Sequence, residues 1–180
     1  MNSIVVVNDT NIFIDLFNVG LLEEFFSLPW EIHTTDLVML ELVREGQQTL
    51  VSRYKETGRL LIPTLEGEDV LEIGRMFQEY KMQKNLSYTD CSVWYYAKKN
   101  SYVLLTGDRK LRTASVLDGV EVHGTIYVLD NLVACGLLSH ADAIDKLNLL
   151  YDTNPRLPQE EKAKRINLWK FEMSKKGDCL

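Results

Sequence analysis

Two short, unbroken apolar runs, Ile4-Val5-Val6-Val7 and Tyr102-Val103-Leu104-Leu105, each lead within a few residues to an acid. Short continuous apolar runs bounded by turn residues read as strands buried on both faces, the pattern of central strands in a parallel sheet. Asn8-Asp9 follows the first run and Thr106-Gly107-Asp108 follows the second. Asp9 and Asp108 therefore fall at the carboxyl ends of two central strands, the edge where open α/β sheets place their ligand crevices. Two further acids, Glu41 and Asp90, fall on expected helices among apolar residues. Converging carboxylates repel one another, so a shared site of this kind calls for metal ions. Acids gathered around hard cations are a common apparatus for cutting phosphodiesters.

Strands and helices alternate along the chain, which means an α/β fold with a central parallel sheet. The pattern predicts strands at Ile4–Val7, Glu31–His33, Leu60–Ile62, Tyr102–Leu105 and Val120–His123. It predicts a helix carrying Ile12, Phe13, Leu16 and Phe17 that ends near Gly20, then helices over Leu21–Leu28, Asp36–Glu45, Gln47–Thr57, Glu68–Lys84 and Arg109–Leu117. Thr34 or Thr35 would cap the helix beginning at Asp36, and Ser87 or Thr89 the helix running to about Asn100. Beyond these come helices over Thr125–Cys135 and from Ser139 to Tyr151, a turn at Asp152–Pro158, and a basic helix Gln159–Met173 with a fraying tail, Ser174–Leu180. The expected organisation is one domain over residues 1–124 with a helical extension, residues 125–180, packed on it.

Composition narrows the partners. The 180 residues are 46% hydrophobic and 26% charged, ordinary values for a globular domain with a substantial core. No apolar stretch reaches the roughly 18 residues of a membrane span, and Met1-Asn2-Ser3 carries no basic region before its apolar run, so no secretory signal is expected. Cys91, Cys135 and Cys179 are odd in number and far apart, which fits reduced thiols in a cytoplasmic protein. His33, His123 and His140 have no metal-ligand spacing and read as structural or surface residues. The net charge of −6 argues against a protein that coats nucleic acid through bulk charge. It is uneven, however: residues 155–180 hold seven Lys/Arg against four Asp/Glu, a net +3, which leaves −9 for the rest. That basic segment either guides RNA or packs through Ile166, Leu168, Trp169 and Phe171, and the side chains favour packing.

Each acid alone also has a plain explanation. Asp9 and Asp108 could cap the helices that follow them, and Asp90 could serve the dipole at a helix start. Glu41 is the only polar residue in Leu37-Val38-Met39-Leu40-Glu41-Leu42-Val43, so it is either paired or metal-bound, or it marks a narrow solvent-facing stripe. The joint pattern carries more weight, because all four fall at one end of the expected sheet. Thr10 and Asn11 add polar support beside Asp9. Arg109, Lys110 and Arg112 follow the fourth acid and could grip RNA phosphates.

Four stretches, in order, resemble the PIN-domain nucleases, the family named for the PilT N-terminal domain. They are Val-Val-Asn-Asp-Thr-Asn-Ile-Phe-Ile-Asp-Leu (6–16), Thr-Thr-Asp-Leu-Val-Met-Leu-Glu-Leu-Val-Arg-Glu (34–45), Leu-Ser-Tyr-Thr-Asp-Cys-Ser-Val (86–93) and Val-Leu-Leu-Thr-Gly-Asp-Arg-Lys-Leu (103–111). On them Asp9 with Asn11, Glu41, Asp90, and Asp108 with Thr106 match the family pattern, and no expected acid is missing. The resemblance covers about residues 4–124. It implies a PIN-like three-layer α/β/α fold and a Mg2+- or Mn2+-dependent endoribonuclease. It further implies the toxin of a toxin–antitoxin pair, with RNA as substrate, an antitoxin as partner and a homodimer as a frequent assembly. The helices beyond residue 125 depart from the minimal toxin form. The competing reading is a non-catalytic PIN-like module that binds RNA or a partner protein. A haloacid-type phosphatase would need a second Asp where this chain has Asn11, and no phosphate-binding GxxxxGK[ST] loop is present.

Overall fold

The computed structural model describes residues 4–177, with side chains through Lys175. Its strands are β1 (Ile4–Asn8), β2 (Trp30–His33), β3 (Leu60–Leu61), β4 (Val103–Leu105) and β5 (Val122–His123). Its helices are α1 (Thr10–Asn18), α2 (Leu22–Ser27), α3 (Asp36–Glu41), α4 (Glu45–Glu56), α5 (Glu68–Lys84), α6 (Tyr88–Asn100), α7 (Arg109–Leu117), α8 (Thr125–Ala134), α9 (His140–Thr153) and α10 (Gln159–Gly177). All sheet pairings are parallel, in the order β3-β2-β1-β4-β5. The chain is thus an α/β fold with a helical C-terminal segment.

This strand order creates the crevice. From β1 the chain moves outward through β2 to β3, then returns to the other side of β1 for β4 and β5. The order reverses between β1 and β4, so the segments after these two strands diverge and leave a gap at the carboxyl edge. Val6 pairs with Val103 and Asn8 with Leu105, and the ladder continues into Asp9, whose N–H donates to Leu105 O at 3.0 Å. Val6, Val7, Leu104 and Leu105 are fully buried, each worth roughly 1.5–3 kcal/mol in apolar transfer. Both central strands are therefore anchored directly beneath the acids.

The expected strands and most helices are present, with differences that have local causes. The expected helix Asp36–Glu45 stops at Glu41, because Leu42 turns out of helical geometry at ψ 85° and buries completely. Leu40 and Val43 beside it are 74% and 79% exposed, so this apolar heptad is only partly core. Thr35 occupies the N-cap position of α3, but its side chain makes no capping hydrogen bond. Thr34 Oγ1 donates instead to Asn8 O at 2.7 Å, and Thr35 Oγ1 shares a hydrogen bond with Ser92 Oγ at 2.9 Å, tying this loop to β1 and α6. Helix α10 continues through Ser174 to Gly177; Asp178, Cys179 and Leu180 lie outside the described residues, as do Met1, Asn2 and Ser3.

Contacts divide the chain into two compact units. One comprises the chain through Ile14 with Pro29–Thr125, and holds the sheet. The other comprises Asp15–Leu28 with Ile126–Leu180 and is helical. Within the second unit, Trp169 of α10 is 2% exposed, and His140 of α9 lies 2.9 Å from Glu172. Asp15, itself 4% exposed, accepts Asn154 Nδ2 at 3.0 Å. The basic helix is therefore a packed element. Of the thiols described, Cys91 is buried and Cys135 exposed, and neither is in a disulfide. His33 is a core residue, placed between Tyr96 Oη at 2.8 Å and Glu31 Oε1 at 2.7 Å. Among the described residues, no helix is long and apolar enough to cross a membrane.

Candidate active site

Asp9 stands at the centre of the carboxyl edge and is 2% exposed. Three donors hold it: Thr10 N–H to Oδ1 at 2.7 Å, Asn11 Nδ2 to Oδ2 at 2.8 Å, and Thr106 Oγ1 to Oδ2 at 2.7 Å. Burial is the largest influence on its carboxyl, pushing it up; the Thr106 bond opposes this, the Asp90 charge adds to it, and the result is a pKa of about 6 against an ordinary 3.8. This is not a helix cap, since a cap accepts from the second or third helical N–H.

The other acids gather around it through short polar links. Thr10 Oγ1 donates to Glu41 Oε2 at 2.6 Å, reaching from the start of α1 to the end of α3. Asp90 sits in the first turn of α6 in a capping box: Ser87 N–H donates to its Oδ2 at 2.6 Å, and its own N–H donates to Ser87 Oγ at 2.9 Å. Its carboxyl is pushed up mainly by burial, against the Ser87 hydrogen bonds, with the charges of Asp108 and Glu41 adding to the rise. Asp108 caps α7, accepting the Lys110 and Leu111 N–H groups on Oδ1 at 2.7 and 2.8 Å. Its own N–H donates to Thr106 Oγ1 at 3.0 Å, so Thr106 bridges the first and fourth acids.

The structure thus unites Asp9, Asn11, Glu41, Asp90, Thr106 and Asp108 in one crevice of the sheet unit, with Thr10 as the link to Glu41. None of the four acids has a Lys, Arg or His ion partner among the described residues. Glu41 Oε1, Asp90 Oδ1 and Asp108 Oδ2 take no protein hydrogen bond among the described residues. Three carboxylate oxygens with open valence, uncompensated negative charge and a buried fourth acid make a hard-oxygen donor set of the kind that binds Mg2+ or Mn2+. No three Asp, Glu, His or Cys side chains among the described residues close into a ready-made ion cage. The donors fit such an ion in their chemistry, and they would have to draw together to bind it.

The basic residues divide. Arg109 and Lys110 are exposed at the start of α7. Arg112 departs from the expectation of a phosphate contact: its Nη1 donates to Val122 O at 3.1 Å and its Nη2 to Thr106 O at 2.9 Å. It braces the end of β4, on which Thr106 and hence Asp9 depend. Gly124 makes room for this, since a Cβ there would sit 2.9 Å from Arg112 Nη2. A half-buried guanidinium bonded to two strand carbonyls has no signature in a run such as Asp-Arg-Lys-Leu-Arg. The part played by Thr10 is equally silent in sequence, because its partner Glu41 lies 31 residues away.

With fold and site in place, a model for the PIN domain matches residues 5–170. The chain belongs to the PIN-domain family, whose members are generally nucleases. It is similar to a solved structure of PAE2754 from Pyrobaculum aerophilum, at 17% identity over 74% of this chain and 99% of that one, with a TM-score of 0.52. It is also similar to a solved structure of FitAcB from Neisseria gonorrhoeae, at 17% identity over 65% and 95%, with a TM-score of 0.42. No curated protein matches the sequence.

Proposed function

We propose that this chain is a Mg2+- or Mn2+-dependent endoribonuclease that hydrolyses RNA phosphodiesters in the crevice between β1 and β4. The observation that carries the reading is Asp9: buried, held by three donors, and repelled by an acid neighbour that no cation offsets. A fold that only needed stability would gain from a neutral residue there.

Asp9, Glu41 and Asp90 would hold the ion, which when bound supplies an activated water and neutralises charge on the phosphoryl group. The protein's own work is positioning. Thr106 and Asn11 fix the plane of the Asp9 carboxylate, Thr10 keeps Glu41 turned toward it, and Ser87 orients Asp90. Asp108, with Oδ1 held by two backbone N–H groups, presents Oδ2 to orient water. A toxin role beside an antitoxin partner, in the cytoplasm, rests on the family resemblance.

Purified protein incubated with total RNA, with and without Mn2+, and mapped for new ends tests the reading. Metal-dependent internal cleavage, lost in Asp9→Asn, is the expected result. Binding of RNA with no cleavage at any Mn2+ concentration would instead identify a non-catalytic module. Growth arrest on expression, relieved by the same substitution, tests the toxin role.

A further inference from the structure

Some lysines and arginines on the sheet unit are matched by acids: Lys98 with Asp118, Lys99 with Asp69, Arg75 with Glu72. Lys84, Arg109 and Lys110 are not; none has an acidic partner among the described residues. The three converge from two elements, the end of α5 and the start of α7, on an open groove of about 390 Å3. Asn85, in the left-handed conformation at φ 54°, turns the chain at one wall, and Met82, 87% exposed, stands on the rim.

The position of two of these charges runs against helix electrostatics. Arg109 and Lys110 are the first two residues of α7, where the helix dipole disfavours cations. Asp108 caps the helix through Oδ1, accepting the Lys110 and Leu111 N–H groups, but forms no ion pair with either cation among the described residues. Cations with no acid partner, at the unfavourable end of a helix and facing a groove, form a site that an anion completes. Asp108 immediately precedes Arg109, so the groove lies one residue along the chain from the fourth acid.

We propose that this groove is a backbone subsite for single-stranded RNA: Lys84, Arg109 and Lys110 each take a phosphate beside the scissile bond, and Met82 offers an apolar surface to a neighbouring base. The proposal rests on the ribonuclease reading and adds the path the strand takes out of the crevice. Arg112 is excluded from it, being bonded to strand carbonyls.

The test is the salt dependence of binding of a fluorescein-labelled oligouridylate, followed by anisotropy in EDTA so that the strand stays intact. Lys84→Gln, Arg109→Gln and Lys110→Gln should each reduce the slope of log K against log [salt] by about 0.7, and the triple variant by about 2. Lys55→Gln on α4 should leave the slope unchanged, and all variants should melt as wild type does. A triple variant with the wild-type slope, or a wild type that binds no oligouridylate, overturns the subsite. Parallel cleavage assays in Mn2+ separate the two readings. Cleavage by wild type with no change of slope removes the groove and keeps the nuclease; reduced slopes without any cleavage keep the groove and remove the nuclease.

Discussion

At the residue scale, Asp9 and Thr106 carry the most testable chemistry. Folded Asp9 binds its proton up to about pH 6, whereas an unfolded aspartate does so only to 3.8. Between these values the folded state holds more protons, so its stability falls as pH rises through that window. The stabilisation tied to the neutral carboxyl is fully present below 3.8 and gone above about 6. At about two pKa units this term is roughly 3 kcal/mol. In EDTA, Asp9→Asn removes it, so the stability of the variant relative to wild type should climb between pH 4 and pH 7; a flat difference across melts at both ends would refute the buried-acid assignment. Thr106→Val strips a donor from Asp9 and an acceptor from the Asp108 N–H. It should lower cleavage by about 10–100-fold, and destabilise by about 1–3 kcal/mol. Unchanged turnover would show that Asp9 needs no such support.

At the level of elements, what the sequence disclosed follows from which interactions are local. Helix α5 runs from the turn at Gly67 to a left-handed turn at Asn85, so its bounds are legible from residue pattern alone. Helix α6 opens on Ser87 with Asp90 three residues on, a signal contained in four residues. Ser87→Ala removes that cap at about 1 kcal/mol and releases Asp90, so it should cost more in cleavage than in melting temperature; the reverse order would make Ser87 merely structural. The break between α3 and α4 was not legible, because a heptad apolar at every position but Glu41 has no period that tells the buried Leu42 from the exposed Leu40 and Val43. Thr34 and Thr35 look like caps because caps are local, but their partners Asn8 and Ser92 lie 26 and 57 residues away. Trp169, which amphipathicity did suggest, anchors α10. Trp169→Ala should destabilise by about 3–5 kcal/mol, read by denaturant unfolding, and a change under 1 kcal/mol would mean that the helix is only loosely held.

On the scale of the whole molecule, the acid positions were readable and their couplings were not. Strand ends at Asp9 and Asp108 follow from apolar runs, but the bridge through Thr106, the Thr10 link and the Arg112 brace exist only once the sheet has formed. A metal that binds the assembled crevice stabilises the native state by about 2.7 kcal/mol at a hundred times its Kd. That corresponds to a melting shift of roughly 5–11 °C for a chain of this size. Asp90→Asn should melt higher than wild type in EDTA, since one repelling charge is gone, and should gain much less from Mn2+. Equal metal shifts in the two proteins would remove Asp90 from the site. The strand order has a consequence in time as well. β1 stays unpaired on one side until residues 103–105 exist, and the helical unit needs α10, which is made later still. At about 5–20 residues per second, a ribosome makes Asp9 several seconds before Asp108. Until β4 and the turn at Asp108 have been made, the growing chain lacks the assembled four-acid constellation.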